Sequence, residues 1–156
     1  MKIVHFGNVQ RDARLAACCL CLALGAACST PPPAPPVPSA TLFARLGGMD
    51  RIAAIVSQTV DAASSDARTK ASFNGINLQR LKASVASHLC QVVDGPCRYT
   101  GQDMAQAHAG LAITPAQFAI MDAYLGQALA AHQVDPGAIA EVRVRLGAMQ
   151  ADVTGK

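Results

Sequence analysis

The chain has 156 residues, with 13 Lys and Arg against 10 Asp and Glu, two tyrosines and no tryptophan. That length suits one domain. Lys2, Arg11 and Arg14 fall in the first 27 residues, leaving 10 basic against 9 acidic side chains from Cys28 onward; without a basic stripe or interleaved aromatics, nucleic acid is excluded as a partner.

Residues 1–27 read as an export signal. "MKIVHFGNVQRDAR" supplies a basic region, and "LAACCLCLALGAA" is an apolar run of 13 residues ending in small side chains, too short to stay in a bilayer as an anchor. "LGAAC" resembles the lipobox of bacterial lipoproteins, which implies a lipid on Cys28 and a place on the periplasmic side of the cell envelope. Gly25 stands where leucine is preferred, and an earlier "LAAC" ends at Cys18 with almost no apolar run before it. Cleavage without lipid, releasing a free periplasmic protein, is the alternative. Residues 28–40, "CSTPPPAPPVPSA", hold six of the nine prolines and form an extended linker with nothing to bury.

From Thr41 to Val153 the pattern is helical, punctuated at "GGMD", "FNGIN", "DGPCRYTG" and "HQVDPG". The spacing predicts helices at 41–46 and 50–65, a tight turn around 68–75, and a helix at 78–92 behind Asn77. "CQVVDGPC" follows. Its Asp94-Gly95-Pro96 turn brings Cys90 and Cys97 within disulfide reach, and exported proteins keep such bonds. Closing that loop contributes about 2–3 kcal/mol. A short segment around 102–110 carries His108. "TPAQ" at 114–117 is a capping box with proline at the first helical position, and "DPG" at 135–137 repeats the cap-then-proline start. With no strand alternation the domain is all-α. Its aromatics from Thr41 on are Phe43, Phe73, Phe118, Tyr99 and Tyr124, a modest interior that an enclosed apolar cofactor would complete.

These strings resemble the truncated haemoglobins, in particular their first group. The resemblance runs from about Thr41 to Val153 through "TLFARLGGMDRIAAIV", "FNGINLQRLKASVASHL", "GPCRYTGQDMAQAHAGLAIT" and "AAHQVDPGAIAEVRVRLGAM". Its most specific part is Tyr99-Thr100-Gly101, Met104, His108, Gly110, Leu111 and Ile113. It implies a two-over-two helical sandwich around haem b, with His108 as the proximal iron ligand. Met104, Leu111, Ile113 and Phe118 are then expected against the macrocycle, with Phe73, Leu81, Val85 and Leu89 on the other side. Iron needs a neutral imidazole on an element fixed by packing, and the alternative for His108 is a satisfied core histidine.

The distal side departs from the family. Where members commonly carry Phe-Tyr, this chain has Thr59 and Val60, and Val85 replaces a frequent glutamine. Bound oxygen is polar, and a donor to it contributes about 1–3 kcal/mol, or ten- to a hundred-fold in release rate. An apolar wall therefore favours carbon monoxide or nitric oxide over tight oxygen storage. Thr59 and His88 are the polar candidates there, His88 as donor, sixth ligand or rim residue. Arg80 and Lys82 are candidates for the haem propionates. The cysteine pair is a staple, or a redox switch on the helix carrying Leu81, Val85 and His88.

The expected function is reversible binding of a diatomic gas, with an unidentified reductase as partner. The alternatives are haem-dependent turnover of nitric oxide or peroxide, and a haem-free helical interaction or sensor module.

Overall fold

The computed structural model describes residues 40–156. The segment read as an export signal, Cys28 and the rest of the chain before Ala40 lie outside the described residues, as does any test of lipidation. Within the described residues the backbone is helical, without strands: α1 (Leu42–Arg45), α2 (Gly48–Ser65), a 3-10 turn (Lys70–Phe73), α3 (Leu78–Val92), α4 (Met104–Ala107), α5 (Pro115–Ala131), α6 (Pro136–Gly147) and α7 (Gln150–Val153). None of these helices is long and apolar enough to cross a membrane.

The starts of α1, α3, α4, α5 and α6 follow from side chains that accept from first-turn N–H groups otherwise left without partners. Thr41 accepts from Ala44 at 3.2 Å, Asn77 from Arg80 at 3.0 Å, Asp103 from Gln106 at 2.8 Å and Asp135 from Ala138 at 2.9 Å. At α5 the box is reciprocal, Thr114 accepting from the Gln117 N–H at 3.2 Å and Gln117 from the Thr114 N–H at 2.9 Å. Helix α2 begins two residues earlier than the pattern predicts. Gly47 and Gly48 both take left-handed φ, 87° and 80°, and turn the chain without a side-chain cap.

Helix α2 buries Ile52, Ile55, Val56, Thr59, Val60 and Ala63, the three-and-four spacing of one helix face. It packs on α3 and α5, α5 packs on α6, and α6 on α3, so the four longer helices close a ring of contacts. Leu, Ile, Val and Ala fill the core, while Phe43 and Phe73 pack against it from the edge. Outside, Arg45 pairs with Asp135 at 2.8 Å and Glu141 at 3.0 Å, and Arg145 with Glu141 and Asp94, each at 2.7 Å.

Cys90 and Cys97 form a disulfide, their Cα atoms 5.8 Å apart. In the turn between them Asp94, rather than Gly95, takes the left-handed conformation, at φ 59°. Gly95 is required for space: a Cβ there would come within 2.5 Å of Phe43 and 2.6 Å of the Cys90 sulfur.

Candidate functional site

The ring of helices leaves an interior it does not fill. A cavity of about 340 Å³ opens between α2, α3, the segment around α4, α5 and the end of α6 with α7, within the roughly 300–1,000 Å³ common for ligand and cofactor sites. Helix α3 presents Leu81, Val85, His88 and Leu89 to it, a four-and-three spacing that keeps them on one face. Helix α2 adds Thr59 and Val60, the 3-10 turn Phe73, and α5 Phe118. Met104, His108, Leu111 and Ile113 close the side beyond. All twelve side chains singled out in the sequence for the two haem faces thus meet around one cavity.

His108 is not inside a helix but caps the end of α4, with φ −107° and ψ 4°. Its Nδ1 lies 2.8 Å from the Met104 carbonyl oxygen. A carbonyl only accepts, so Nδ1 is the donor, and it is Nε2 that has the lone pair in the neutral ring. Asp103, capping α4, fixes the turn that supplies this carbonyl. The outcome is a half-buried imidazole with one unclaimed nitrogen at an apolar cavity.

Most polar groups on the lining are committed elsewhere. Thr59 donates its hydroxyl to the Ile55 carbonyl at 2.8 Å, Thr69 to Ala63 at 2.5 Å and Tyr99 to Gln102 at 2.9 Å. Gln117 serves the α5 box and donates to the Arg68 carbonyl, and Asp122 pairs with Arg143. Ser72, Ser84 and His88 also line the cavity, and no side-chain hydrogen bond claims them. The His88 ring meets Tyr99 edge-on, with centroids 4.9 Å apart. Burial, and secondarily the nearby His108, push the His88 pKa below the ordinary imidazole value.

The cations stand differently from expectation. Lys82 pairs with Asp61 at 2.7 Å, bridging α3 to α2, and neither it nor the exposed Arg80 lines the cavity. The sequence reading also missed part of the wall. Met121 and Leu125 lie on it, three and seven residues after Phe118, as do Leu146, Met149 and Val153 near the C-terminus. Both groups keep helical spacing, the signal that could have found them. Residues 154–156 then clasp the segment after His108, Ala112 donating to the Lys156 carbonyl and Gly155 to that of Ile113, each at 3.0 Å.

These features bear on what the cavity accepts. No three His, Cys, Asp or Glu side chains converge on a metal-sized site among the described residues. A metal held by His108 must therefore arrive with most of its ligands. An iron porphyrin does so, and its flat apolar body matches the aliphatic and phenyl walls.

Comparison with known proteins points the same way. The model of the bacterial-like globin family matches residues 41–154. A group 1 truncated haemoglobin of Mycolicibacterium paratuberculosis is 30% identical over 103 residues, covering 66% of this chain and 76% of that protein. One from Chlamydomonas moewusii is 26% identical over 130 residues, covering 82% and 75% respectively. Among solved structures, the truncated haemoglobin of Tetrahymena pyriformis in its Fe(III) form superposes with a TM-score of 0.72 at 24% identity, covering 75% of this chain and all of that one. The 2/2 haemoglobin of Synechococcus gives a TM-score of 0.69 at 24% identity with the same coverage.

Proposed function

Because the chain belongs to the bacterial-like globin family, whose fold is built around haem, we propose that it is a haem b protein of the cell envelope that reversibly binds a diatomic gas. The observation that carries this reading is the His108 imidazole, oriented by the Met104 carbonyl through Nδ1 with its second nitrogen unclaimed at an apolar cavity.

Haem bound there would supply the iron that takes up oxygen, nitric oxide or carbon monoxide. His108 would hold the iron through the nitrogen that Met104 leaves unclaimed, and its bond to the Met104 carbonyl orients the ring. Met104, Leu111, Ile113 and Phe118 would support the cofactor on one side and Phe73, Leu81, Val85 and Leu89 on the other, keeping water away. Val60 and Val85 offer only methyl groups, and Thr59 has given its hydroxyl to Ile55. From these three side chains a polar ligand gains less than the roughly 1–3 kcal/mol a well-placed donor provides, which favours carbon monoxide and nitric oxide over retained oxygen.

The signal-like N-terminus, the lipobox-like "LGAAC" and the Cys90–Cys97 disulfide support export and anchoring through lipid on Cys28, with a reductase of that compartment as partner.

Protein loaded with hemin and passed through gel filtration is expected to keep an absorption band at about 400 nm, and His108→Ala to lose it. A wild type that elutes colourless overturns the proposal. For the anchor, full-length protein is expected in the membrane fraction and Cys28→Ser in the soluble one; equal partitioning removes the lipid.

A further inference from the structure

Tyr99 follows the Cys90–Cys97 bridge by two residues and is tied to α3 twice more. Its N–H donates to Gln91 Oε1 at 2.7 Å, and its ring meets His88 with the planes at 70°. The hydroxyl is held by the Gln102 carbonyl at 2.9 Å. The ring lies so close over Gly101 that any Cβ there would collide with it. Tyr99 is therefore fixed at its backbone, its hydroxyl and one face.

His88 has no comparable restraint. No hydrogen bond orients its imidazole among the described residues, and Tyr99 is its aromatic partner. Yet His88 and His108 line the same cavity from separate elements, α3 and the end of α4. A mobile neutral imidazole there would compete for the metal that His108 holds.

We propose, on the haem reading above, that Tyr99 is a positioning residue: its ring holds the His88 imidazole in place, so that the cavity presents one ligating imidazole and not two. The disulfide sets this restraint by fixing where residues 97–103 return to α3. A ring held at its backbone by Gln91 suits the task, because an edge-to-face contact constrains the partner ring without consuming either of its nitrogens.

The spin state of the iron reports on it. Haem-loaded wild type and Tyr99→Phe, which keeps the ring, are expected to share one five-coordinate ferrous spectrum. Tyr99→Leu is expected to shift toward the six-coordinate low-spin form and to weaken carbon monoxide binding by about tenfold, since only the unligated fraction is competent. Adding His88→Leu to Tyr99→Leu is expected to restore the wild-type spectrum. Gln91→Ala, which loosens the Tyr99 backbone without touching either ring, gives a smaller shift in the same direction and serves if Tyr99→Leu does not fold. Unshifted spectra in both loosened variants, or a low-spin shift that survives His88→Leu, overturn the proposal. Haem retention is measured throughout: colourless protein in every case defeats the haem reading and this one with it, whereas retained haem with unshifted spectra defeats only the role of Tyr99.

Discussion

Thr59 brings a hydroxyl into a cavity where a polar ligand would gain from it, and its own helix claims that hydroxyl first. A threonine inside a helix readily donates to the carbonyl four residues back, here Ile55 at 2.8 Å. Two substitutions one position apart should therefore behave oppositely. Thr59→Val is expected to leave oxygen release within about twofold of wild type, whereas Val60→Tyr, which adds a donor on the cavity wall, slows it by about ten- to a hundred-fold. Stopped-flow displacement of oxygen by carbon monoxide checks both. A large effect of Thr59→Val would mean that its hydroxyl turns toward the ligand. At this scale the sequence is legible where one residue type has one job. His108 stood out through its spacing from Met104 and the motif around it. The commitments of Thr59 to Ile55 and of Lys82 to Asp61 were not readable, because they depend on rotamers and on which helix lies alongside. Tyr99 belonged to the quoted motif, but its contact with His88 exists only once the loop folds back onto α3.

Helix boundaries were more legible than helix contacts. Asn77, Thr114 and Asp135 marked their starts because an N-cap is decided within four residues of chain. Helix α7 escaped notice because Met149 before it supplies no side-chain cap; only the spacing of Val142, Leu146, Met149 and Val153 announces it. Between α2 and the 3-10 turn, Asp66 is held by Arg68 and by the Tyr124 hydroxyl at 2.8 Å, chiefly through the Arg68 side chain, and its carboxyl lies well below the usual carboxylate range. A carboxylate depressed in the folded state stabilises fully above its unfolded pKa of about 3.9 and loses that contribution as the pH falls further. Asp66→Asn is thus expected to lower the urea midpoint at neutral pH and to flatten its decline below about pH 4. A decline as steep as that of wild type would show that other carboxylates govern acid unfolding.

For the whole molecule, helical periodicity and turn punctuation sufficed for an all-α reading, and the ring of four helices agrees with it. The extent of the cavity was not readable, since it is what remains after α2, α3, α5 and α6 have packed. An apolar interior this large forgoes contacts that a filled core would make, so the cofactor should contribute to folding. Anything that binds only the folded state stabilises it by mass action, about 2.7 kcal/mol at a hundredfold excess over its dissociation constant. The thermal midpoint is accordingly expected to rise with added hemin and to fall on its extraction. A midpoint indifferent to hemin would indicate an interior already complete without it.

The clasp of Gly155 and Lys156 on Ile113 and Ala112 has a consequence in time. Synthesis delivers the chain from its N-terminus, so helices α2 to α5 emerge while the stretch that backs His108 is still missing. A nascent protein without residues 149–156 would hold the His108 imidazole on a loop that lacks this clasp. The backing of His108 is thereby deferred until residues 149–156 have been made.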